Sequence, residues 1–238
     1  MNKRRFNNVY ALSVSALMIA IMFIFGFTPI GTIQTPALTI TLMGIPVSIM
    51  AVVFGPWMGA IAGLIWGGIS MIQAFTGMDA TATLLQGCMN SGEISAGRYF
   101  GGLIVMCVVA RVLVGFLTGL IYDAIKIKDK KGIIATTVSC ACTALLNTIL
   151  FMSSFCFFYY GTPVIDKLGT YANPFVFVFA IIGVNFVVEF LVNSIVGSGI
   201  VYAIKKGAEK MHVVSPFPHF FVKKEETAVE EEAVSTTK

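Results

Sequence analysis

The sequence predicts an all-α membrane protein with six transmembrane helices and both termini in the cytoplasm. Of its 238 residues, 57% are hydrophobic and only 12% are charged, whereas soluble domains are about half apolar and about a quarter charged. The apolar residues fall in six runs, near residues 9–26, 38–55, 57–75, 100–122, 132–160 and 174–204. A helix of about 20 such residues is long enough to cross the hydrocarbon core of a bilayer.

The first two runs need separate justification as helices. The first follows three basic residues, as a signal peptide would, but no cleavage site of the A-x-A type closes it, so we interpret it as a retained span. Gly44 and Pro46 interrupt the second run. A helix bundle tolerates such breaks, because neighbouring helices satisfy the freed backbone groups. The uncharged loop between the two runs, GFTPIGTIQTPALT, is placed to cover the outer end of the bundle.

The positions of lysine and arginine predict the orientation of the helices. These residues precede the first run, fill the turn between the fourth and fifth, and follow the sixth, whereas the other side carries only Arg98 and Lys167. Cytoplasmic flanks carry the excess of positive charge, so both termini are predicted to be cytoplasmic. The net charge of +4 is therefore charge on membrane flanks and does not indicate a nucleic-acid partner.

Two regions of unequal size follow from this pattern. Residues 1–210 are predicted to form the transmembrane domain, which contains all six helices. Residues 211–238 are predicted to be a disordered cytoplasmic tail, because the stretch VKKEETAVEEEAVSTTK is acidic, polar and too poor in apolar residues to fold alone.

The sequence gives no support for catalysis or metal binding. The five cysteines include no C-x-x-C pair. Both histidines lie in the tail, and the chain has neither an H-E-x-x-H helix nor a G-x-x-x-x-G-K-[ST] loop. Glu189 is the only deep carboxylate, so a carboxylate dyad is missing as well. We expect no catalytic residue, no metal and no cofactor, and any ATP-driven step would need partner subunits.

Polar side chains at one depth in the membrane indicate a binding pocket. Four of them lie about 22 to 25 Å along their helices from the inner end: Gln73, Arg111, Asn147 and Glu189. The other candidates for the pocket are Trp66, Asn185 and Asn193. Charged groups inside a bilayer usually face the bundle interior or a cavity and mark functional paths. Arg111 and Glu189 could simply neutralise each other, but the surplus of amides favours a polar ligand that enters from outside.

Small residues four apart form a second pattern, which favours close contact between helices. The candidates are Ala16 and Ala20 in the first run and Gly59 and Gly63 in the third. Two interpretations stay open, since these residues could pack the bundle internally or could dock another membrane subunit.

Together these motifs resemble the substrate-binding S component of energy-coupling factor (ECF) vitamin transporters. The most specific match is IPVSIMAVVFGPWMGAIAGLIWGGISMIQAF, preceded by the Ala-x-x-x-Ala pattern of the first helix. ARVLVGFLTGLIYD is similar to the family's arginine-containing fourth helix, LLNTILF to its fifth and GVNFVVEFLVNSIV to its sixth. The resemblance spans residues 8–205 and is strongest to the pantothenate-specific branch. It departs in TGMDATATLLQGCMNSGEISAGRYFGG, where the family has a shorter loop, and in Ala110, where the family has proline before the arginine.

The resemblance implies a membrane-embedded binding subunit of an ATP-driven vitamin transporter in the plasma membrane of a prokaryote. It also implies the partners, namely a small-molecule vitamin such as pantothenate, a shared transmembrane coupling protein and two ATP-binding cassette ATPases. The alternative is an independent proton-coupled solute carrier that uses Glu189 as its relay. Co-purification separates the two, because a binding subunit should bring down the ATPases and an independent carrier should not.

Overall fold

The structure, a computed structural model, describes residues 3–29, 31–34, 39–129, 131–168 and 186–211. Its elements in chain order are α1 (Lys3–Phe27), β1 (Thr32–Gln34), β2 (Thr39–Thr41), α2 (Gly44–Phe54), α3 (Pro56–Phe75), α4 (Ala80–Asn90), α5 (Ala96–Lys126), α6 (Ile133–Tyr159), α7 (Pro163–Leu168) and α8 (Phe186–Lys210). Among the described residues, five helices are long and apolar enough to cross a membrane. They are α1, α3, α5, α6 and α8. The predicted tail beyond Met211 lies outside the described residues.

The second predicted span differs from the helix that forms there. The architecture is helical, as predicted, but residues 39–41 pair antiparallel with β1 as a short ribbon, so the predicted span near 38–55 is not helical over these three residues. Helix α2 has 11 residues, which gives a length of about 16 Å against a hydrocarbon core of about 30 Å. Six spans and cytoplasmic termini therefore stay predictions.

Helix α2 lies in the centre of the bundle. Ten of its 11 residues are buried, as expected for a helix that is apolar on all sides. The apolar run that predicted a span thus does form a helix, but the rest of the protein surrounds this helix. Helices α3, α5 and α6 pack around α2, and this arrangement brings the polar residues of the long helices towards one another.

The long segment between α3 and α5 forms a helix of its own. Asp79 Oδ1 accepts a hydrogen bond from the Ala82 N–H at 2.7 Å and caps α4. Leu85 of α4 joins a buried apolar cluster with Tyr99 at the start of α5 and Tyr159 at the end of α6. These contacts close one end of the bundle, which is called the outer end below. The opposite end, with the lysine-rich turn between α5 and α6, is called the basic end.

An ion pair links two segments at the outer end. Lys167 Nζ of α7 lies 2.8 Å from a carboxylate oxygen of Glu93, in the turn before α5. This hydrogen bond lowers the pKa of Glu93 and raises the pKa of Lys167. Both side chains are partly exposed, and exposed ion pairs contribute little to stability. The pair therefore orients α7 against the α4–α5 turn more than it stabilises the fold.

Glycines bring α3 and α5 into backbone contact. At three positions on α3, a Cβ atom in place of the glycine hydrogen would clash with a carbonyl oxygen of α5. The pairs are Gly59 with Gly115, Gly63 with Arg111, and Gly67 with Cys107. Residue numbers rise by four along α3 and fall by four along α5 from one pair to the next, so the helices are antiparallel and touch at three points over about two turns. Small residues permit such an approach in a membrane, where close packing holds helices together.

A matched pair of substitutions in α3 tests this contact. Gly63→Ala forces a Cβ against the Arg111 carbonyl oxygen, and we expect this overpacking to destabilise the protein by about 1–3 kcal/mol. Gly68→Ala points into space that no described atom occupies within 4 Å, so we expect a neutral effect or a gain of up to about 1 kcal/mol. Thermal unfolding of both purified variants in detergent measures the difference. Equal melting temperatures would contradict the contact.

Candidate functional site

Glu189 lies where three elements converge. Its side chain is 5% exposed. Oε1 accepts a hydrogen bond from the backbone N–H of Thr41, at the end of β2, at 3.0 Å. Oε2 accepts one from Nδ2 of Asn147, on α6, at 3.3 Å. Hydrogen bonds to a carboxylate are stronger than those between neutral groups, so the ribbon and α6 hold this side chain of α8 in a fixed position.

Arg111 of α5 is buried among aromatic rings. The guanidinium carbon lies 4.6 Å from the ring centroid of Trp66 and 5.3 Å from that of Phe151. The Nη1 atom donates to the carbonyl oxygen of Met106 at 2.9 Å. A guanidinium over an aromatic face is attracted by the negative face of the ring, and the attraction is larger where water is excluded. The ring of Trp66 therefore forms one wall of the arginine site.

The carboxylate of Glu189 and the guanidinium of Arg111 both contact α6. Asn147, which contacts Glu189, and Phe151, which contacts Arg111, lie one turn apart on α6. Each charge lies within electrostatic range of the other. In the described part of the chain, however, they form no direct ion pair. The simple neutralising pair that the sequence left open is thus not the arrangement seen.

Both charged residues lie beside a π-helical turn. In α5 the turn Val105–Val109 ends two residues before Arg111, and in α8 the turn Asn193–Gly197 begins one turn after Glu189. Such turns insert a residue into an α-helix and are frequent at functional sites. Here the Met106 carbonyl of the first turn accepts the Arg111 hydrogen bond. The irregular backbone therefore helps to position the charged side chain.

Polar atoms at this site lack partners. Arg111 Nε, Asn147 Oδ1 and Asn193 Oδ1 are buried without a hydrogen bond to any described residue. Buried polar atoms in folded proteins are nearly always satisfied, and each exception calls for an explanation such as a bound molecule. The unsatisfied donor belongs to the cation, and the unsatisfied amide oxygen of Asn147 lies beside the anion. A ligand with both an acceptor and a donor would complete both.

Two other predicted pocket residues, Gln73 and Asn193, also make structural contacts, and their place in the pocket stays a prediction. Gln73 Nε2 donates to the Gly26 carbonyl oxygen at 2.6 Å and so satisfies one of the last carbonyls of α1. Asn193 Nδ2 donates to the backbone oxygen of Glu189 at 2.9 Å, and its side chain packs against Gly44 at the start of α2. Asn185 lies outside the described residues.

The small residues divide between the two interpretations. Gly59 and Gly63 are buried against α5, so internal packing accounts for them. Ala16 and Ala20 are exposed on α1. A docking surface for another membrane subunit therefore stays a proposal for the two alanines alone.

The structure adds site residues that the sequence analysis missed. Phe151 could have been found, because it lies one turn after Asn147 on the same face of α6. Thr41 could not, since it contributes only its backbone N–H. Asp79 lies within electrostatic range of Arg111 and comes from the segment that departs from the family pattern. Among the described residues, no group of three or more His, Cys, Asp or Glu side chains could hold a metal ion.

Comparisons with known proteins agree with this architecture. Residues 11–201 match the family described as ECF transporter, substrate-specific component. A solved structure described as ThiT from Listeria monocytogenes superposes with a TM-score of 0.52 at 16% sequence identity, covering 90% of this chain and 100% of that one. No curated protein matches the sequence. At this identity the structural match concerns the fold alone, whereas the family match covers most of the chain. The chain belongs to the ECF transporter family as a substrate-specific component.

Proposed function

We propose that this chain binds a small polar B-type vitamin, with pantothenate as the first candidate, and delivers it to an ATP-driven uptake transporter. The binding site is formed by Trp66, Arg111, Asn147 and Glu189. Asn185, which lies outside the described residues, is a further proposed member of this site. The vitamin enters from the outer end of the bundle, and both termini are cytoplasmic. The partners are a shared transmembrane coupling protein and two ATP-binding cassette ATPases.

The observation that carries this proposal is the set of unsatisfied buried atoms beside two separated charges. Arg111 Nε is an unused donor on a cation, and Asn147 Oδ1 is an unused acceptor next to the Glu189 carboxylate. Pantothenate carries a carboxylate, two hydroxyls and an amide. Its carboxylate would pair with Arg111, and its hydroxyls or amide N–H would donate to Asn147 and Glu189. The Trp66 ring would hold the Arg111 guanidinium in place through its cation–π contact.

Ligand binding by single variants tests the site. We expect Arg111→Ala, Asn147→Ala, Asn185→Ala and Glu189→Ala each to weaken pantothenate binding by about 1–3 kcal/mol, because each leaves a buried polar group unpaired. Isothermal titration calorimetry with pantothenate on the purified variants measures the loss.

Ser154→Ala is the matched control on α6. The Ser154 hydroxyl donates to the Leu150 carbonyl of its own helix at 2.7 Å, so its removal should leave binding unchanged. If all four site variants bind as the wild type does, the site lies elsewhere. If the wild type does not bind pantothenate, native mass spectrometry of the protein purified from its host names the vitamin that it carries instead.

Substitutions on α1 test the docking surface. Ala16→Trp or Ala20→Trp should prevent close approach of a partner helix and abolish uptake by the complete transporter, while vitamin affinity stays within about threefold of the wild type. Leu64→Trp, at an exposed position of α3, is the control and should retain uptake. If Ala16→Trp or Ala20→Trp loses folding and binding together, these residues pack inside the bundle. If both variants retain uptake, α1 is not part of the interface.

A further inference from the structure

A groove opens between α6 and α8 at the basic end, far from the site around Glu189. It encloses about 260 Å³, many times the volume of one water molecule. Three residues of α6 and three of α8 line it: Ile133, Thr136, Thr137, Ser198, Gly199 and Tyr202. The lining is mostly apolar, so the groove suits a hydrocarbon group better than a polar solute.

A partly buried cation reaches the wall of this groove. Lys205 Nζ donates to the Tyr122 hydroxyl at 2.6 Å and to Thr136 Oγ1 at 3.2 Å, and it lies 4.0 Å from the Tyr122 ring centroid. Both hydrogen-bond partners are neutral. A buried charge is costly unless an opposite charge compensates it. Lys205 is therefore suited to attract an anion at the end of the groove.

Two carboxylates, Asp129 and Glu209, lie near Lys205. Asp129 Oδ2 accepts a hydrogen bond from the Ala135 N–H at 2.9 Å and caps the start of α6. Glu209 is exposed one turn after Lys205 on α8. Both lie within electrostatic range of Lys205, but neither forms an ion pair with it in the part of the chain that the structure describes.

The helix face that lines the groove continues into the lysines. Ser198 and Tyr202 are four residues apart on α8, and Lys206 follows four residues later, so the three share one face. The Lys206 ammonium lies 5.9 Å from the Tyr202 ring centroid. Lys205 and Lys206 thus each lie beside a residue that lines the groove, Thr136 for the first and Tyr202 for the second.

We propose that this groove binds an anionic phospholipid of the membrane leaflet at the basic end. One acyl chain lies against Ile133, Gly199 and Tyr202, and the phosphate lies at Lys205 and Lys206. Basic pockets between transmembrane helices on the cytoplasmic side bind acidic head groups, and each lysine near an anionic membrane surface adds about 1 kcal/mol. Free phosphate lacks the chain that the groove accommodates, and a zwitterionic lipid lacks the net negative charge.

Native mass spectrometry of the full-length protein in detergent tests the proposal. Phosphatidylglycerol and phosphatidylcholine of equal chain length are titrated separately, and the fraction of lipid-bound protein is compared. We expect wild-type protein to retain phosphatidylglycerol in preference, and Lys206→Gln to reduce that preference about fivefold. Lys128→Gln removes an exposed lysine of the α5–α6 turn outside the groove and should change nothing.

A second pair of variants tests the apolar part. A Cβ on Gly199 or on Gly68 would meet no described atom within 4 Å, so a leucine at either position begins without a Cβ clash. Gly199→Leu fills the groove and should lower phosphatidylglycerol retention, whereas Gly68→Leu on α3 should not. Equal retention of the two lipids by the wild type, or full retention by both Gly199→Leu and Lys206→Gln, would overturn the proposal. Displacement of the lipid by an equal concentration of inorganic phosphate would overturn it too, because the groove would then be unnecessary.

Discussion

The backbone contact between α3 and α5 is the constraint on which the rest of the bundle depends. The carbonyl oxygen of Arg111 lies against Gly63, where any larger residue would push the helices apart. Trp66 follows about one turn later on α3, and this spacing brings its ring to 4.6 Å from the guanidinium. A guanidinium in a membrane needs protein or water around it. The glycine contact therefore both builds the helix pair and creates the environment that Arg111 requires.

The site depends on keeping two charges apart. Separate groups hold each charge: aromatic rings and the Met106 carbonyl hold Arg111, while the Thr41 N–H and the Asn147 amide hold Glu189. If the two side chains met directly, they would satisfy each other and leave little for a ligand. Because they do not meet, each retains an unsatisfied neighbouring atom. This separation leaves polar groups that can bind the proposed ligand.

Apolar runs predicted the long helices well, because a spanning helix needs little more than length and hydropathy. The runs at 57–75 and 132–160 end within one or two residues of α3 and α6. Hydropathy did not predict where α2 begins, because Leu42 and Met43 continue the apolar run although the chain turns there. The contact between Asn147 and Glu189 agrees with their common depth. The Thr41 contact uses a backbone N–H, which nearly every residue type provides, so no sequence pattern could mark it.

We propose that Glu189 is a fixed anchor for the vitamin and does not carry protons. The most direct test is uptake by Glu189→Gln in proteoliposomes that contain the complete transporter, with ATP inside and the proton gradient collapsed by an ionophore. The glutamine side chain keeps the shape and part of the hydrogen bonding of Glu189 but cannot exchange a proton. We expect ATP-driven uptake by this variant at reduced vitamin affinity, and wild-type uptake that does not respond to the ionophore. Wild-type uptake that follows the proton gradient instead of ATP, together with complete loss in the glutamine variant, would contradict it.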